Sequence, residues 1–71
     1  MPATPDAVYR EASTLLRQGD AAGALRLLER QLSKTPGDEV TLSLMGSARV
    51  RVGDHMGAMD LFRRNVELHP E

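Results

Sequence analysis

Apolar and small residues recur along the chain at spacings of three and four, as on one face of a helix. Val8, Ala12 and Leu16 form one run, and Leu25, Leu28 and Leu32 a second. Leu42, Gly46 and Val50 form a third, and Met59, Phe62 and Val66 a fourth. Residues that stop and start helices stand between the runs. Thr4 suits an N-cap, with Pro5 at the first helical position, where its missing N–H costs nothing. The first helix is predicted from there to about Gln18, closed by Gly19 in the left-handed conformation. Asp20 caps a second helix over 21–34, which Pro36 and Gly37 end. Asp38 caps a third over 39–52. Gly53 and Asp54 repeat the turn, and the fourth helix ends near His69 and Pro70. The chain reads as all-α.

The turns repeat each other, RQGDAAGAL at 17–25 and RVGDHMGAM at 51–59. Gly19 and Gly53 are 34 positions apart, and the same shift aligns the rest of the chain. It pairs Ser13 with Ser47, Arg17 with Arg51, Asp20 with Asp54, Gly23 with Gly57, Ala24 with Ala58, Arg30 with Arg64 and Pro36 with Pro70. Apolar positions keep step, Val8 with Leu42, Leu16 with Val50, Leu25 with Met59, Leu28 with Phe62 and Leu32 with Val66. Each copy is a helix, a Gly-Asp turn and a second helix, giving units at 5–37 and 38–70 of one domain. Glycine costs roughly 1 kcal/mol inside a helix, so Gly23 and Gly57 imply a reason. The expectation is close approach of the paired helices, with Gly23-Ala24 facing Ala12 and Gly57-Ala58 facing Gly46.

A duplicated 34-residue helix–turn–helix with these residues resembles the tetratricopeptide repeat over 5–70. The resemblance rests on bulky Val8 and Leu42, small Ala12 and Gly46, the Gly-Asp turns, Ala24 and Ala58, bulky Leu28 and Phe62, and closing Pro36 and Pro70. It implies two antiparallel helical hairpins stacked as a short right-handed α-solenoid. The family favours leucine where Glu11 stands, a large aromatic at Leu15 and Arg49, and alanine at Gln31 and Asn65. Those departures predict looser hairpins, with the Arg49 head reaching water along its aliphatic stem.

The resemblance also implies a concave face that takes a peptide or helix. Its positions here are Asp6, Tyr9, Ser13, Leu16 and Arg17 in the first copy, with Val40, Ser43, Ser47, Val50 and Arg51 in the second. Arg17 and Arg51 recur at one place and suit a ligand carboxylate, although ordinary solvated arginines look the same. Chaperone-tail-binding members of the family use a lysine–asparagine clamp here. Tyr9, Ser13, Ser43 and Ser47 do not supply it.

Stacked units bury their flanks against neighbours. Thr14 and Gln18 in the first copy stand where the second has Ala48 and Val52, so the first unit reads as a solvent-facing end. The fourth helix instead carries Met59, Phe62, Val66 and Leu68. Phe62 is expected to pack within its own hairpin. The group as a whole is expected to form a self-association flank, covered by a second copy or by further repeats of a longer parent chain.

Composition narrows the alternatives. At 71 residues the chain sits where one core is marginal, and it has no cysteine to add a disulfide. Nine basic and ten acidic residues give a net charge of −1, a poor match for nucleic acid or an anionic membrane. One Tyr and one Phe provide no base-stacking platform. No apolar run reaches spanning length, and the N-terminus does not read as a signal peptide, so a cytoplasmic protein is expected. Catalysis is not expected either. His55 and His69 do not recur with Ser13 and Ser47, and GDAAG and GDHMG lack the lysine and strand of a phosphate loop. His55 beside Asp54 and Asp60 is a weak metal set, so no metal or cofactor is expected. Two functions remain: a protein-interaction scaffold for a protein or peptide partner, or the accessory unit of a larger bacterial enzyme such as a sulfotransferase or hydroxylase. A plain four-helix bundle would not need the register-true repeat.

Overall fold

The computed structural model describes residues 5–70, so the Thr4 cap lies outside the described residues. Four helices follow in order, α1 (Pro5–Arg17), α2 (Ala21–Lys34), α3 (Glu39–Arg51) and α4 (His55–Leu68), and the described residues contain no strand. The helix ends fall within one or two residues of those expected from the sequence, the usual uncertainty of fraying termini.

The repeat is present in the backbone as well as in the letters. Gly19 and Gly53 both have φ of +84°. At the first turn Asp20 N–H donates to Leu15 O at 2.8 Å and Gly19 N–H to Leu16 O at 3.1 Å. At the second turn Asp54 N–H donates to Arg49 O at 2.8 Å and Gly53 N–H to Val50 O at 3.0 Å. This pair of bonds is the Schellman closure, which needs a left-handed residue and therefore favours glycine. Each aspartate then caps the next helix, Asp20 Oδ1 accepting from Gly23 N–H at 2.9 Å and Asp54 Oδ1 from Gly57 N–H at 3.0 Å. The closing caps also match, with φ of −135° at Thr35 and −134° at His69.

The helices pack in series. α1 lies on α2, α2 on α3 and α3 on α4, while α1 also meets α3. Among the described residues α4 packs on α3 and on no other helix. Two antiparallel hairpins are thus stacked side by side through α2 and α3. α3 carries apolar residues around much of its circumference, from Val40 to Val50, as suits a helix with neighbours on several sides. The core runs through both hairpins, with Ala12, Ala24, Leu28, Leu42 and Ala48 fully buried, and Leu16, Met45 and Leu61 nearly so.

The turn glycines have a different reason from the one expected. A Cβ on Gly23 would overlap the Asp20 carboxylate, and one on Gly57 the Asp54 carboxylate. These glycines leave room for the cap of their own helix, not for the neighbouring helix. Close packing between paired helices falls instead to Ala12, Ala24 and Ala58, all buried, and to Gly46. A Cβ on Gly46 would overlap the Phe62 ring. The first hairpin has Ala12 and Leu28 at the matching places, so one methyl lost from one helix accompanies a larger side chain on the other.

The polar departures make bonds within the structure, although the buried Asn65 Oδ1 accepts none among the described residues. Gln31 is buried, and its amide donates to Thr35 Oγ1 at 3.3 Å. Asn65 Nδ2 donates to Ser43 Oγ at 2.9 Å and to Glu39 O at 3.2 Å, tying α4 to α3. Arg49 extends to Glu29 at 3.6 Å and to Asp54 at 3.4 Å, linking α2, α3 and the second turn. His69 Nε2 donates to Gly37 O at 2.6 Å and pins the end of α4 to the loop between hairpins.

Candidate functional site

Half of the residues expected on the concave face, Tyr9, Leu16, Arg17, Ser43 and Arg51, are bonded or buried within the molecule. Tyr9 donates its hydroxyl to Asp38 Oδ2, the N-cap of α3. The same oxygen accepts from Thr41 N–H at 2.9 Å and lies 2.9 Å from the Thr41 hydroxyl, itself fully buried. The Tyr9 bond is the main cause holding the Asp38 carboxyl below its usual range, because it favours the charged form. Burial first, and then donation to that carboxylate, push the Tyr9 phenol above its usual value. The expectation of Tyr9 as a ligand contact thus meets a side chain whose polar end ties α1 to α3.

Leu16 is a correction. It is 5% exposed and belongs to the core, so it does not line an open face. Arg51 reaches across the hairpins and donates to Leu16 O at 3.1 Å, a carbonyl that also accepts from Gly19 N–H, and so places a cation at the C-terminal end of α1. Its repeat mate Arg17 has no hairpin before it among the described residues and donates to Thr14 Oγ1 at 3.2 Å. Ser13 and Ser43 are half-buried, and Ser43 is taken by Asn65. Ser47, Val40 and Asp6 are exposed.

The larger apolar surface lies at the end of the stack. Met59 is 61% exposed, Phe62 39% and Val66 65%. Their mates in α2 are Leu25, Leu28 and Leu32. Leu25 and Leu28 are buried and Leu32 is partly buried, because α3 covers that side of α2. Val50 behaves in the same way, 44% exposed where Leu16 is buried. It therefore belongs to this end surface as much as to the concave face. The side of the second hairpin that matches the covered side of the first is uncovered among the described residues.

The two other flank residues differ in where they sit. Leu68 is 52% exposed, as the expected flank requires, but follows Val66 by two positions, about 200° around a helix, and so opens to another side of α4. It leans over the loop, where a Cβ on Gly37 would lie 3.6 Å from its Cδ1. Phe62 does pack in its own hairpin, its ring against Gly46, while keeping one edge open. In α3, Ala48 is fully buried as a flank residue should be, whereas Val52 just past the helix is 49% exposed.

One difference between the two copies lies outside the apolar periodicity. The 34-residue shift sets Glu11 against Met45 and Thr14 against Ala48. Met45 and Ala48 are buried between α3 and its neighbours, while Glu11 is exposed and Thr14 half-buried. At these two places the first copy has polar residues where the second has apolar ones, while Leu15 against Arg49, which reaches Glu29 of α2, runs the other way. The Tyr9–Asp38–Thr41 tie had no signal in the sequence, since hydrogen bonds between residues about thirty positions apart leave no local pattern.

Among the described residues, no helix is long and apolar enough to cross a membrane. In comparison with known proteins, 60 residues, or 84% of this chain, are 37% identical to a stretch of cellulose synthase 2 operon protein C from Komagataeibacter xylinus. That stretch is 5% of the relative's length. No protein-family model matches the chain, and no solved structure matches it.

Proposed function

We propose that the chain is an assembly module of two tetratricopeptide-type repeats that holds a protein partner against its open end, through Val50, Met59, Phe62 and Val66. One observation carries this reading: residues of the second hairpin are exposed where the matching residues of the first, Leu16, Leu25 and Leu28, are buried by their neighbour. Exposed apolar surface that is continuous and rimmed by polar residues marks association sites. The concave face is the weaker candidate, because Leu16 is buried and Tyr9, Ser43 and Arg51 are bonded internally. The likeness to part of a cellulose synthase operon protein supports a place beside a polysaccharide-synthesising system, as one segment of a longer chain, with no catalysis assigned to this segment.

The reading is tested by supplying the missing neighbour. A chain carrying a further copy of residues 38–70 after Pro70 places an α3-like helix where it can cover α4. Stacked repeats gain stability from each new interface, so the three-unit chain is expected to melt in one transition, above the melting temperature of the two-unit chain. An unchanged temperature, or two separate transitions, would mean that the end of the stack does not receive a helix.

A further inference from the structure

α4 carries two methionines, and their repeat mates show that they differ in kind. Met56 is 81% exposed and Met59 61%. The 34-residue shift sets Met56 against Ala22 and Met59 against Leu25. Ala22 stays exposed although α3 lies on α2, whereas Leu25 is 9% exposed. Met59 thus stands where a neighbouring helix closes over the surface, and Met56 stands outside that area. A further methionine, Met45, is 4% exposed in the core.

Both exposed side chains are open to hydrogen peroxide dissolved in the solvent. A sulfur lone pair attacks one peroxide oxygen, the O–O bond breaks, and hydroxide leaves. The attacked oxygen gives up its proton, which with the hydroxide makes water, and a sulfoxide remains. Sulfur loses two electrons and the peroxide gains them, so the peroxide is the only co-reactant. At Met56 the product adds polarity to a surface that is already solvated. At Met59 it puts a hydrogen-bond acceptor on the stripe shared with Phe62 and Val66, whose side chains offer no donor. Covering that oxygen strips its water and returns nothing, which is unfavourable. We propose that Met59 is an oxidation site that gates the open end: as a thioether it admits an apolar partner, and as a sulfoxide it does not. The inference rests on the reading of the open end as an association surface, and it adds the chemistry that switches that surface.

Timed exposure of the full chain to hydrogen peroxide, followed by fragmentation mass spectrometry, reads each sulfur separately. Met56 and Met59 are expected to oxidise at similar rates, and Met45 about tenfold slower or more, since it is reached only through local opening. Helical circular dichroism should hold while only Met56 and Met59 are converted. The second arm uses the three-unit chain, with leucine in place of each methionine of the added copy. That swap keeps side-chain volume and leaves the added unit without sulfur. There Met59 is expected to slow by about tenfold or more, to the pace of a residue reached only by opening, while Met56 stays fast. Met59→Gln, polar and inert to peroxide, stands in for the sulfoxide. It should leave the melting temperature of the two-unit chain unchanged and remove most of the gain made by the third unit, whereas Met59→Leu should keep that gain. Met59 as slow as Met45 in the two-unit chain would overturn the inference. So would a stabilised three-unit chain in which Met59 oxidises as fast as Met56, or one that keeps its full gain with Met59→Gln. Those last two results remove the gate and leave the open end standing. A three-unit chain with no gain at all removes the open end, and the gate with it.

Discussion

At Gly23 and Gly57 the side chain that needs the space is the carboxylate three residues earlier. This distinguishes them from Gly19 and Gly53, whose φ of +84° alone excludes most other residues. The difference is open to measurement. In the parent chain, Gly23→Ala gains helix propensity, roughly 1 kcal/mol, but displaces the Asp20 cap, also worth about 1 kcal/mol, so the net change in stability is expected near zero. With Asp20→Ala already in place there is no cap to displace, and Gly23→Ala should stabilise by nearly its full propensity gain. Urea unfolding of the four chains in this cycle checks it. Equal effects in both backgrounds would return Gly23 to a role in helix–helix approach. The turn was legible in the sequence because Gly-Asp chemistry is local. The reason for the second glycine was not, since a cap and a close packing contact leave the same small residue behind.

The hairpins show how one element compensates another. Ala12 with Leu28 and Gly46 with Phe62 fill matching places, and a Cβ on Gly46 would overlap the Phe62 ring. Gly46→Ala is therefore expected to destabilise the chain by about 1–3 kcal/mol from overpacking, less the helix propensity that alanine adds. Phe62→Leu in the same chain reproduces the pair of the first hairpin and should recover most of the loss. A double-mutant cycle by thermal unfolding reads the coupling, which for residues in contact is about 0.5–3 kcal/mol. Simple additivity would contradict the pairing. Helix number, order and limits were legible from spacing and caps. The behaviour of Gln31, Asn65 and Arg49 was not, because each finds its partner on another turn or helix, at Thr35, Ser43 and Glu29. From the sequence those polar residues look like gaps in the packing, and in the fold they act as ties.

For the whole molecule the governing fact is that a unit and its translated copy share one internal geometry but not one environment. Leu16 against Val50, and Leu28 against Phe62, differ in exposure because the first hairpin has a neighbour beyond α2 and the second has none beyond α4 among the described residues. The sequence showed the duplication and the greasy fourth helix. It assigned Leu16 to an open face, because a repeat comparison cannot tell which copy is covered. If the hairpins are copies, their backbone N–H vectors must obey one template. Residual dipolar couplings measured along α1–α2 and α3–α4 of the full chain test this most directly. A single hairpin geometry should fit both sets, with the two Gly-Asp turns superimposing. Couplings that require α3 and α4 to cross at a different angle from α1 and α2 would contradict the repeat, and with it the open end.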